Sequence, residues 1–271
     1  MRRRGQLARS LLLGTCLLFT AYTPAWSEEA TLKACGHQDY PPWNWHSQGE
    51  IRGACADVTR ELFGRLGIGV DLSYVGPWKR CQKAVEEGDV DVNICAFINP
   101  ARQTYSDFTA TPMGYNQNAV FVSKDNAFGF NRWADLSGKQ AAMVLGVSIG
   151  EQFDTFLKNN VNIEWVPDYK SAFMMLKHRR VDFVPFGRES GLTKLATLNM
   201  SDDIVPLDHP ITTGNLYISI SKKSRFKHLL PEINAMIQEP GYRQWVTELL
   251  KTNIEKYSAE QARLRSSIKN N

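Results

Sequence analysis

DVNICAFINPARQTYSDFTATP, running from Asp91 to Pro112, is the stretch on which the fold turns. Val90 to Ala96 is a short apolar run bounded by turn residues, as in a strand buried in a parallel sheet. The chain must leave that strand at Asn99-Pro100, because proline has no N–H to give a ladder and holds its neighbour extended. Arg102 follows at once, beyond the carboxyl end of the strand. Open α/β sheets take small ligands at that edge, and a guanidinium fork matches a carboxylate bidentately. The plainer alternative is an arginine that caps its turn or pairs with Asp107.

Outward from this stretch, strands and helices alternate. Thr31 to Cys35 reads as a first strand, leading into GHQDYPPWNW, where Tyr40, Trp43 and Trp45 are too dense for an ordinary surface loop. Gly49 to Gly53 reads as a hairpin tip. In the helix ADVTRELFGRLG, Val58, Leu62, Phe63 and Leu66 share a face and Gly67 stops it. Val70 to Val75 is a second strand and Lys79 to Glu87 a second helix closed by Gly88, so the order predicts a parallel sheet with crossover helices. Past Pro112, strands Ala119 to Ser123 and Gln140 to Leu145 begin a second unit. Gly146-Val147-Ser148 then meets a helix starting at Glu151, which is an anion-friendly junction or simply an N-cap serine. Ile163 to Val166, the helix Tyr169 to Lys177 and the segment RVDFV from Arg180 repeat the pattern of the first unit. Leu216 to Ser221 reads as a returning strand, followed by helices Phe226 to Ile237 and Gly241 to Lys256 and a charged tail from Glu260.

The run N-P-A-R-x-x-x-x-D-F-x-x-x-P resembles the T-P-E-R…D-F-S-x-P-Y segment of the bacterial extracellular solute-binding proteins for polar amino acids. Four weaker matches follow in order: the aromatic loop after strand one, VEEGDVD at Val85 to Asp91, LSGK at Leu136 to Lys139, and Gly146-Val147-Ser148. The resemblance spans Thr31 to about Leu250 and implies an α/β, two-lobed periplasmic binding protein of type II, its parallel-sheet lobes joined by a two-strand hinge. It implies a signal peptide at 1–27, a first lobe from 28–118 and 216–271, and a second lobe at 119–215. By resemblance, Arg102 holds a carboxylate, Gly146 and Ser148 touch it from the opposite lobe, and Tyr40 and Trp43 wall the cleft, with His37 a weaker candidate. Phe97 stands in a loop poorer in hydroxyls than the family's carboxylate site.

Composition narrows the function. Of 32 Lys+Arg against 28 Asp+Glu, four arginines lie before residue 28, so the remainder is formally neutral and argues against nucleic acid or an anionic membrane as partner. Arg2 to Arg4 and Arg9, the apolar run Leu11 to Tyr22, and Ala25-Trp26-Ser27 read as a cleavable export signal that discards Cys16, giving a periplasmic protein. Cys35, Cys55, Cys81 and Cys95 then form disulfides in one lobe, with three connectivities open. The five histidines lack ligand spacing, and no motif asks for a metal or a cofactor. The expected function is a monomeric solute-binding protein that serves an ABC permease of the inner membrane. The alternatives are an enzyme on the same fold, resembling cyclohexadienyl dehydratases with Glu189 or His37 as acid, and a ligand sensor acting in trans. One departure from the family bears on the ligand. The aspartate that neutralises an α-ammonium is replaced by Gly187, followed by Arg188 and Glu189, so a cleft with Arg102 and Arg188 points to an organic acid. A shift of two residues would put Glu189 in the aspartate's place and restore ammonium binding.

Overall fold

The computed structural model describes residues 30–269, so the expected export signal lies outside the described residues. The first sheet is built around Val92–Ala96, all five residues buried. Thr31–Cys35 runs parallel beside it, with Gly69–Asp71 parallel on the outer side. On the other flank Asn215–Ser221 runs antiparallel, followed by Ser106–Phe108, also antiparallel. This sheet is therefore mixed, not purely parallel, because the chain returns from the second lobe in the reverse direction. The helices Ala54–Gly64 and Trp78–Glu87 cross over between the parallel strands. The two disulfides are Cys35–Cys81 and Cys55–Cys95, each tying one of these helices to a strand of the sheet.

Those bridges close loops of 46 and 40 residues. In the chain-entropy account each withholds ~4 kcal/mol of freedom from the unfolded chain. Native protein is therefore expected to show no alkylatable thiol at Cys35, Cys55, Cys81 or Cys95 before reduction, and to melt well below its starting temperature after it. Mass spectrometry after alkylation reads the first result and calorimetry the second; four alkylated thiols in native protein overturn the pairing.

In the second lobe Asn118–Ser123 is central, with Val184–Gly187 and Ile204–Thr212 antiparallel on either side. Gln140–Val144 pairs in parallel with Asn162–Val166 and joins the others through a parallel bridge from Ala141 to Phe183. Helices Glu151–Asn160, Tyr169–Lys177 and Arg188–Leu198 cover this lobe. The chain crosses between lobes twice at one place, where the Asn116 N–H donates to Gly214 O at 2.9 Å. Gly214 has φ +64°, and a Cβ there would stand 1.6 Å from Asn116 O, so the two crossing segments touch only because residue 214 is glycine. The C-terminal helix Tyr242–Lys269 is longer than its sequence suggests and touches both lobes. It takes Trp45 Nε1–H on Glu260 at 3.1 Å and gives Arg265 Nη1–H to Thr197 O at 2.9 Å. Among the described residues no helix is long and apolar enough to cross a membrane.

Candidate functional site

The strand Val92–Ala96 ends just before a four-residue helix, Pro100–Gln103, with Pro100 in its first turn. Asn99 caps it by accepting the Arg102 N–H at 2.9 Å. That turn carries the Arg102 side chain inward, where it is 4% exposed. Its Nη1–H donates to Phe97 O at 2.8 Å, its Nε–H reaches Gln82 Oε1 at 3.4 Å, and its guanidinium carbon lies 5.5 Å from the centre of the Trp78 ring. Among the described residues no carboxylate forms an ion pair with it. A buried cation in direct contact only with neutral groups, the Asp154 carboxylate acting on it without forming an ion pair, has room for an anionic partner.

From the opposite lobe comes Val147-Ser148-Ile149, the loop that leads into helix Glu151–Asn160. The loop is fastened by Asp154: Ser148 Oγ–H donates to one carboxylate oxygen and the Ile149 N–H to the other at 2.9 Å. Burial raises the Asp154 pKa against the pull of Ser148, Ile149 and Arg102. Asp154 was unmarked in the sequence, since an acid in the first turn of a helix needs no further reason.

Rings form the rest of the wall. Tyr169 stacks on Phe186 with centroids 3.5 Å apart, and Tyr40 tilts onto the same Phe186 at 5.5 Å. The Tyr40 hydroxyl accepts from Asn116 Nδ2 at 2.8 Å, the same amide also donating to Ser190 Oγ at 2.8 Å; burial drives the phenol pKa upward. His37 sits 5.4 Å from Trp78, centre to centre. Its Nδ1 accepts the Asp39 N–H at 2.9 Å, and its Nε2 is buried without a partner among the described residues. Burial first, then Lys194 and Arg102, lower its pKa to about 3, so the ring is neutral near pH 7. Asp39 itself is paired with Lys194 of the second lobe.

These groups surround a cavity of about 30 Å³ between the lobes. That is room for little more than a water, so a solute can be admitted only if the lobes part. Arg102, Ser148, Tyr40 and Phe97 line this cavity. Four other candidates do not. Trp43 is 1% exposed and belongs to the core on the far side of its loop, packed on Gly114 beside Met113 and Tyr242. The pairing of Asp39–Tyr40 with Asn44–Ser47 turns Tyr40 towards the cleft while Trp43, in the turn between them, enters the core. Gly146 is exposed at the lip, where its carbonyl accepts from Gln82 Nε2 at 3.3 Å, a contact between lobes. Arg188 turns away to the carbonyls of Leu207 and Asp208, and Glu189 faces solvent, because both lie on the first turn of helix Arg188–Leu198. Gly187 lines the cavity instead. A Cβ there would come within 2.3 Å of Asn116 Nδ2 and 2.8 Å of Tyr40 Oη, so no aspartate fits in this arrangement. His37, Trp78, Tyr169, Phe186 and Asn118 also line it, as do Cys95, Val147 and Ile149.

Two lobes that meet over a buried cationic cleft define a clamshell binding fold. The signature of the bacterial extracellular solute-binding proteins, family 3, matches residues 32–256, and the chain belongs to that family. Among solved structures, an amino acid ABC transporter substrate-binding protein, AbpA from Streptococcus pneumoniae Canada MDR_19A, bound to L-arginine, superimposes with a TM-score of 0.68 at 20% identity, covering 83% of this chain and 95% of that one. A histidine kinase sensor domain with similarity to periplasmic binding proteins superimposes at 0.67 and 20% identity, covering 81% and 96%. A putative sensor protein of Shewanella frigidimarina (strain NCIMB 400) is 24% identical over 151 residues, 55% of this chain. The chain spans only 22% of the length of that curated relative.

Proposed function

We propose that this protein is a periplasmic solute-binding protein that closes on a small carboxylate-bearing solute, an amino acid or related organic acid, and presents it to an ABC permease. In this reading residues 1–27 are removed on export, 28–118 with 216–271 form one lobe, 119–215 form the other, and the protein works as a monomer. The observation that carries it is Arg102, a buried guanidinium that forms no ion pair among the described residues and lines a cavity between two lobes. A solute carboxylate completes that site, with the loop that carries Ser148 facing it from the other lobe and Tyr40 and Phe97 as walls.

A thermal-shift screen of the mature protein against amino acids, polyamines and organic acids tests this. A carboxylate ligand at a hundred times its Kd should stabilise the fold by about 2.7 kcal/mol. The ligand should be recovered unchanged; conversion of prephenate or arogenate would instead establish an enzyme, and stabilisation by polyamines alone would overturn the carboxylate reading. The kinship with sensor proteins favours a second reading, in which the closed protein signals to a membrane partner in trans. Uptake of the solute lost on deletion of the gene supports transport; unchanged uptake with a lost transcriptional response supports sensing.

A further inference from the structure

His37 is the buried donor that the carboxylate reading leaves unused. Because the Asp39 N–H can only donate, Nδ1 must be the ring's acceptor, and the neutral ring carries its proton on Nε2. His37 lines the cavity, and its Nε2 is buried with no partner among the described residues. Asn118 lines the same cavity, and its Oδ1 is also buried and without a partner among the described residues, its Nδ2 being committed to Thr212 Oγ1 at 2.7 Å. The two groups form a neutral donor and a neutral acceptor, the complement of a hydroxyl group. An α-ammonium suits them badly: it cannot accept from His37, and it would enter beside Arg102. Nor would it find a free carboxylate, since Asp39 is paired with Lys194, Asp154 holds Ser148 and Ile149, and Glu189 faces solvent.

We propose, resting on the carboxylate reading above, that His37 donates its Nε2–H to a hydroxyl oxygen of the solute while Asn118 Oδ1 takes the hydroxyl proton, so that the cleft selects hydroxy acids over α-amino acids. A site built for a hydroxyl leaves its own polar groups unpaired when the hydroxyl is missing, which is why such sites discriminate strongly.

Two matched series test this by calorimetric titration of the mature protein: lactate, alanine and propanoate; and phenyllactate, phenylalanine and 3-phenylpropanoate. In at least one series the hydroxy acid should bind roughly tenfold or more tighter than its deoxy partner, and the amino acid most weakly. His37→Phe should abolish the preference for hydroxy over deoxy acid, read as the ratio of the two affinities within the variant. His37→Gln, which restores an N–H, should recover part of it. Circular dichroism and the melting temperature of each variant show that it is folded. An amino acid binding tighter than its hydroxy acid overturns the proposal, as does a hydroxy preference that survives His37→Phe. Failure of all six acids to bind also overturns it, whereas the solute-binding reading is judged separately by the wider screen.

Discussion

Arg102→Ala is expected to weaken solute binding by tens to thousands of fold, with the protein still folded. Removing one partner of a buried charge pair leaves the other desolvated and unpaired, a loss on the order of 2–5 kcal/mol. Folding should survive because Arg102 makes no ion pair among the described residues; its own contacts are one carbonyl at 2.8 Å, one longer amide contact and the Trp78 ring. Arg102→Lys should recover little, since a point charge on a flexible stem cannot reproduce the fork held between Phe97 O and Gln82. Titration of the solute found by thermal shift into both variants gives the answer. A folded Arg102→Ala protein with unchanged affinity would make the arginine a structural cap of its turn.

His37 gives the second large effect, on stability. An unfolded chain protonates this imidazole near pH 6.5, the folded protein only near about 3. Between those values the unfolded state holds one more proton, so stability falls as the pH falls. The slope approaches 1.4 kcal/mol per pH unit, or about 2.7 kcal/mol by pH 4.5. His37→Phe should lose that slope and be the flatter of the two proteins in urea unfolding at pH 7, 5.5 and 4.5. Carboxylates titrate in both proteins and cancel in the comparison. Parallel pH profiles would mean that the native ring takes up its proton as readily as the unfolded one.

Local chemistry made parts of the chain legible. Asn99-Pro100 forced the strand to end where it does, and Tyr169–Lys177 could be read to its ends from its spacing alone. Two elements of the second lobe could not be read. Helix Arg188–Leu198 has no one-sided apolar stripe and starts directly from a strand with no breaker between them. Strand Ile204–Thr212 holds Pro206 and Pro210, which hide a strand in the sequence; it is tolerated because it lies at the edge of its sheet. Missing that helix is also what left Arg188 and Glu189 as cleft candidates. Tyr40 and Trp43 teach the same lesson at smaller scale, for two rings three residues apart look alike until a hairpin sends them to opposite sides. His37 carried almost no signal, since its importance comes from a neighbour's backbone N–H and from burial.

Gly187 belongs to one lobe, Tyr40 to the other, and Asn116 to the crossing between them; what keeps them compatible is a missing methyl group. That vacancy works as a depth gauge. The jaws can shut only as far as the bare backbone at position 187 allows, and any side chain there would act as a doorstop, propping them ajar before the aromatic walls meet. On the proposed reading, the approach of the two lobes thus depends on an atom that is not there. A methyl group at position 187 would press on Asn116 and Tyr40 at once, so one substitution would disturb both the hinge and the cavity wall.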